Sequence, residues 1–216
     1  QGGAVFLAEG APGSYSLAER TKLLAADGGS EDLFGRAIAM HGPRVLVGAP
    51  GHGAAGQNAG AAYVFVNGPQ GWVEEARLEP VIATPFASFG RAVALVAGVA
   101  FVGAPNADRV HVFRYEATGW VETQIIKPSA GGFTGFGMSL AATATRLVVG
   151  ASDPSGTGPG RAYVYEQVGG AWIERAVLTS PDGSPGDRFG AAVALSGAEI
   201  LVGAPDAEGA CQSGPN

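Results

Sequence analysis

Four times along the chain the pair Phe-Gly is followed, 14 positions after the phenylalanine, by the glycine of a Val-Gly-Ala triplet. The stretches are FGRAIAMHGPRVLVGAP from Phe34, FGRAVALVAGVAFVGAP from Phe89, FGMSLAATATRLVVGAS from Phe136 and FGAAVALSGAEILVGAP from Phe189. Residues between the glycines change, yet the spacing does not. The starts lie 55, 47 and 53 residues apart, the size of one four-stranded propeller blade. A unit copied at such a period buries its apolar surface against its neighbours and not within itself.

The first copy shows what the unit contains. AIAM and RVLVGA are short apolar runs joined by His41-Gly42-Pro43, a hairpin pattern. AAYVFV follows, ending at Val66, then a turn through Asn67-Gly68-Pro69, then WVEEARL from Trp72 to Leu78. Four strands and three turns make the unit. The third and fifth residues after each Phe are small in every copy (Ala37 and Ala39, Ala92 and Ala94, Ser139 and Ala141, Ala192 and Ala194). Small side chains suit the innermost strand of a wedge that narrows towards an axis. The second strand is apolar at consecutive positions, as a strand buried on both faces must be. The expected fold is an all-β β-propeller of four-stranded antiparallel blades, a single domain over 1–216 with blades near 34–78, 89–126 and 136–178.

The two ends divide one further unit. GGAVFL at 2–7 matches the third strand, and LAERTKL at 17–23 matches the fourth. Leu23 to Phe34 spans 11 positions, as does Leu78 to Phe89. The C-terminal copy, 189–205, supplies only first and second strands. The N-terminal strands of 2–23 are therefore expected to complete the C-terminal blade and remove its free edge.

With the FG and VGAP pairs, the strand Tyr63–Phe65 with His111–Phe113 and Tyr163–Tyr165 in the same place, and a tryptophan seven residues later, the chain resembles the FG-GAP repeat family. It is similar to the head propellers of integrin α-subunits, and more so to bacterial extracellular FG-GAP repeat proteins. The resemblance covers nearly the whole chain. It implies a secreted or cell-surface, non-enzymatic adhesion module that binds a protein or carbohydrate; the alternative reading is a structural or assembly domain of a larger surface protein, with an enzyme the least favoured. Integrin-type repeats often carry a DxDxDG calcium loop, whereas the first-to-second-strand turns here are MHGPR, VAGVA, ATATR and SGAE. These lack the carboxylates for that site, so no cofactor is expected. Asp27 to Asp32 and Asp182 to Asp187, each with glycines nearby, are the remaining calcium candidates.

A net charge of -6 and a pI near 5.0, without a basic patch, argue against a nucleic-acid partner. No run approaches the ~18 apolar residues of a membrane span. GxSxG, P-loop and HExxH motifs are absent, and His41, His52 and His111 have no nucleophile or metal partner beside them in sequence, so the chain is read as not an enzyme. Cys211 is the single cysteine and forms no internal disulfide. Gln1 opens the chain, as in a processed secreted chain or an excised fragment. Monomer and homodimer both fit, the second as two chains sharing one ring.

Strand direction puts the loops after each VGAP and those between blades on one end. The tentative ligand-binding residues on that face are His52, Gln57, Asn58, Asn106, Asp108, Arg109, Asp153, Asp206 and Glu208. Asx turns are a simpler role for Asn106, Asp153 and Asp206, and Asp32 and Asp187 fit the tie before each FG. Glu19, Glu74, Glu122 and Glu174 recur in the fourth strand and are expected to face water at the sheet edge. Trp72, Trp120 and Trp172 are expected to pack blades.

Overall fold

The computed structural model describes residues 2–7, 10–11, 14–15, 21–53, 58–131 and 134–208. The chain opens with β1 (Val5–Leu7), β2 (Gly10–Ala11), β3 (Ser14–Tyr15) and β4 (Thr21–Leu23), in which β1 pairs with β4 and β2 with β3. Blade one follows as β5 (Ala37–His41), β6 (Arg44–Ala49), β7 (Ala61–Gly68) and β8 (Gly71–Leu78). Blade two is β9 (Val93–Val96), β10 (Val99–Ala104), β11 (Arg109–Glu116) and β12 (Gly119–Ile126), with one 3-10 turn at Pro105–Ala107. Blade three is β13 (Phe136–Ala142), β14 (Arg146–Ala151), β15 (Arg161–Val168) and β16 (Ala171–Leu178), and β17 (Ala192–Ser196) pairs with β18 (Glu199–Gly203). Each blade is an antiparallel meander in chain order, the β-propeller architecture expected.

Blades stack through their first strands, β5 on β9, β9 on β13 and β13 on β17. The second strand feeds two cores at once. Leu46 joins the cluster between blades one and two, while Val45 and Val47 join the one beneath β1 and β4. Phe101 likewise faces blade three while Ala100 and Val102 face blade one. Consecutive apolar residues are required there because both faces are packed.

The repeated Phe is the hub of its own blade. Phe34 meets Tyr63 and Phe65 edge-on, with ring centroids 5.5 and 6.0 Å apart. Phe89 does the same with His111 and Phe113, and Phe136 with Tyr163 and Tyr165. Edge-to-face contact adds to the burial of such rings. The repeated glycines mark where blades touch. A Cβ on Gly48 would lie 2.0 Å from the Gly90 carbonyl oxygen, one on Gly103 would lie 2.1 Å from that of Gly137, and one on Gly150 would lie 2.0 Å from that of Gly190. No side chain fits at these crossings.

Polar side chains also link the blades. At the hairpin end Arg44 donates to both Glu75 oxygens at 2.7 Å and stacks on Tyr115 of blade two at 4.1 Å, while Trp120 Nε1 donates to Glu75 at 2.9 Å. The Arg44 hydrogen bonds hold the Glu75 carboxyl below its usual range against the opposing effect of burial, helped by Trp120. Gln124 accepts from the Trp172 N–H and donates to its carbonyl, at 2.8 and 2.9 Å, and the Trp172 ring rests edge-on against Phe101 at 5.0 Å. The tryptophans of blades two and three pack blades, as expected.

Of the composite blade expected from 189–205 with 2–23, β1–β4 and β17–β18 form separate two-stranded sheets with no pairing between them among the described residues. Each pair rests on its nearest blade, β1 and β4 over Phe34 and Tyr63, β17 against β13 and β14. Ile38 and Met40 in β5 and Leu201 in β18 are exposed.

Candidate functional site

The two families of loops share one end of the arc and are hydrogen-bonded to each other. Gly51 N–H donates to Asp32 C=O, Asn106 N–H to Ala87 C=O, Asp153 N–H to Thr134 C=O and Asp206 N–H to Asp187 C=O. Between these pairs the residue before each repeated Phe has a left-handed backbone: Leu33, Ser88, Gly135 and Arg188. Three of these four are not glycine, so the turn is held by its surroundings at some cost in strain.

Eight of the nine candidate residues lie among the described residues. His52 is buried, with Nδ1 2.9 Å from Asp32 and Nε2 3.5 Å from Asp27. Tyr63 donates to Asp27 at 2.8 Å, and Arg77 pairs with the other Asp27 oxygen. Burial works against the Asp27 charge, but the Tyr63 and Arg77 hydrogen bonds outweigh it and hold the carboxyl below its ordinary value. Burial and the Asp27 hydrogen bond push the Tyr63 hydroxyl well up. This cluster fastens the turn before blade one to its third strand.

Asp108, at a left-handed position after the 3-10 turn, accepts from the Thr134 N–H and hydroxyl and from the Phe136 N–H, at 3.1, 2.9 and 2.9 Å. It seats the next repeat. Arg109 donates to Thr84 at 3.1 Å. Asp153 folds its own loop by accepting from Ser155, Thr157 and Gly158, which lowers its pKa although burial opposes this. Asp206 pairs with Arg188. Asn106 donates to the Phe86 carbonyl and Ser88 hydroxyl at 2.9 and 3.0 Å. Gln57, Glu19 and Cys211 lie outside the described residues.

The concavities divide the face further. Asn58 and Asn106 line one cavity of about 640 Å³ between blades one and two, Asp153 lines another beside blade three, and Asp206 with Glu208 a third beside β18. The first also contains Arg36 and Arg91, the residues that follow FG in the first two copies. Both went unnoticed in the candidate set because they belong to the repeated motif and not to a variable loop. Their signal was present, since the third and fourth copies carry Met138 and Ala191 there.

Glu74, Glu122 and Glu174 do not stand free in water at an edge but bond to neighbouring loops. In every blade the third and fourth strands slip register by one residue, at Val64/Phe65, Val112/Phe113 and Val164/Tyr165. The bulge places Glu74, Glu122 and Glu174 opposite the inward-facing Phe65, Phe113 and Tyr165. Glu74 takes the Ala26 N–H at 2.9 Å, Glu122 the Val81 N–H at 2.8 Å and Glu174 the Ser129 hydroxyl at 2.7 Å. They latch the strand to the loop that follows the preceding apolar residue. Glu122 is the most enclosed and also meets His111 Nδ1 at 2.5 Å. Burial opposes its charge, and the His111 and Val81 hydrogen bonds overcome this and depress its pKa.

Among the described residues no cluster of three His, Cys, Asp or Glu side chains is placed to hold a metal ion, and no helix is long and apolar enough to cross a membrane. The carboxylates of the two calcium candidate loops have other partners: Asp27 and Asp32 as above, Asp182 with Ser180, and Asp187 with the Ser184 N–H.

Structural comparison returns a protein from Lactobacillus plantarum (16% identity, TM-score 0.48, covering 71% of this chain and 43% of that one). It also returns Saccharomyces cerevisiae Sqt1 (12%, 0.46, 69% and 36%) and the N-terminal domain of Nup159 (12%, 0.45, 76% and 37%). The chain thus spans less than half the length of these structures. No curated protein sequence matches it. The FG-GAP repeat family model matches residues 17–65 and 172–215, which include the pairs Phe34 with Gly48 and Phe189 with Gly203, so these two stretches are similar to FG-GAP repeats.

Proposed function

We propose that this chain is an extracellular, non-enzymatic recognition module that holds a protein or glycan on its loop end. The observation that carries this reading is the cavity between blades one and two, where polar and cationic side chains converge on a rigid frame. Elsewhere on that end His52, Asp108 and Asp153 are engaged in holding loops. FG-GAP repeats on a propeller frame support a binding or structural module at the coarser level. A cofactor has no part in this reading, and neither does catalysis, since His52 and His111 are committed to carboxylates within the frame.

The test is binding to glycan and protein arrays, followed by hydrogen-exchange footprinting of the complex. Protection is expected at 30–36, 86–91 and 106. Protection centred on the exposed turn at His41 would refute the loop-end assignment. Asn106→Ala would loosen the loop at 86–88 and Asp108→Ala the next repeat, so the footprint and not a variant at either residue decides the assignment.

An assembly role is the second reading, favoured by the apolar side chains open at the two ends of the arc. Ile38 is 62% and Leu201 72% exposed, and the outer strands at one end complement the inner strands at the other. A second copy of the chain would satisfy both. Light scattering near 21.6 kDa at micromolar concentration counts against this, and twice that mass supports it.

A further inference from the structure

We propose that Arg36 and Arg91 form a subsite for the carboxylate of an acidic sugar, a uronate residue of a glycan. This rests on the loop-end reading and deepens it. The two guanidinium groups come from equivalent positions in consecutive repeats and line the same cavity. Among the described residues neither has a carboxylate or carbonyl partner, whereas Arg44, Arg77, Arg175 and Arg188 all have carboxylates. Two neighbouring cations left unpaired in a half-enclosed site repel each other and lose hydration, and an anion placed between them relieves both. Burial first, and then the Arg36 charge, lowers the Arg91 pKa, so the two charges do act on one another.

The remaining lining decides the kind of anion. Phe86 is 57% exposed at the cavity, with its backbone in the left-handed region, so its ring is offered to a ligand and not to the core. Ser88 and Asn58 bring a hydroxyl and an amide, and Glu31, which is also exposed there, brings an acceptor. A ring for the C–H face of a sugar, acceptors and donors for hydroxyls and a guanidinium pair for a carboxylate suit a uronate. Glu31 accepts from sugar hydroxyls, which an acidic peptide lacks, so the lining favours a uronate over poly-glutamate. The cavity volume lies within the range of ordinary ligand sites.

The experiment is calorimetric titration of the intact chain with trigalacturonate, with neutral galactotriose and with a short poly-glutamate peptide. Trigalacturonate is expected to bind at least tenfold more tightly than galactotriose, with affinity falling as salt rises. Arg36→Gln combined with Arg91→Gln should weaken it tenfold or more at an unchanged melting temperature. If the double variant melts early, Arg36→Gln alone gives the answer, since Arg36 is exposed and carries no packing. Phe86→Ala should weaken both sugars alike. Unchanged affinity in the arginine variants, no binding of trigalacturonate at millimolar concentration, or tighter binding of poly-glutamate would each overturn the proposal. A partner from the arrays whose loop-end footprint survives the double arginine variant would leave the recognition module standing and remove only this subsite.

Discussion

Blade two and the final strand pair start from nearly the same text, FGRAVALVAGVAFVGAP and FGAAVALSGAEILVGAP, and end in different environments. Both form the same hairpin, Val93–Val96 with Val99–Ala104 and Ala192–Ser196 with Glu199–Gly203. Yet Phe89 is 0% exposed while Phe189 is only half-buried, and Phe101 is sealed where its counterpart Leu201 stands open. Phe89 has His111 and Phe113 of its own third strand as partners, and among the described residues the final pair has no third strand paired to it. Local sequence sets strand and turn, whereas burial comes from the neighbour.

That difference is measurable as stability. Phe89→Ala is expected to cost about 3–5 kcal/mol in urea denaturation, as for a fully buried aromatic, and Phe189→Ala under about 1 kcal/mol. Equal costs would break the comparison, since Phe189 would then have to be covered in solution by a strand pair that meets it there.

A smaller effect sharpens the same contrast at the blade crossings. Gly103→Ala would drive a Cβ to 2.1 Å from the Gly137 carbonyl, whereas the nearest atom to a Cβ on Gly203 is 3.5 Å away. The first should destabilise by at least about 1–3 kcal/mol, the usual cost of overpacking, and the second by no more than about 0.5 kcal/mol. A thermal melt of each variant decides it. If Gly203→Ala were as damaging, another backbone would have to cross there.

How much of this could be read in advance follows from what kind of interaction each residue serves. The blade hubs and crossings were legible because Phe34, Gly48 and their copies keep one spacing, and a repeat records what every copy needs. The separation of β1–β4 from β17–β18 was not legible, because matching half-units carry no information about the angle between blades. Nor was the role of the glutamates. Strict alternation keeps Glu74 on the face of Ala76 and Leu78, and the bulge between Val64 and Phe65 moves it to the face of Phe65. In the site, variable loop residues drew attention while Asp108 and His52 proved to be fastenings. Arg36 and Arg91 lay inside the constant motif, where a difference between copies is easy to overlook.

The glutamate latches of blades two and one differ in the same way. Glu122 is enclosed with His111 and the Val81 N–H, while Glu74 has an exposed bond to Ala26. Glu122→Gln should cost about 1.5–3 kcal/mol near neutral pH, the range for a hydrogen bond to a charged group, and Glu74→Gln under about 0.5 kcal/mol. The pH dependence separates a charge effect from a packing effect. Because the folded pKa of Glu122 is depressed, its contribution is fully present above the unfolded carboxyl value of roughly 4.3. It is lost as pH falls through the depressed folded value, when the side chain becomes neutral in both states. The stability gap between parent and Glu122→Gln, followed by denaturation from pH 7 downward, should therefore hold steady and then close below about pH 4.3. A gap that stayed constant through that window would mean that the latch works by shape alone, and that the interior blade owes nothing to the charge it has buried.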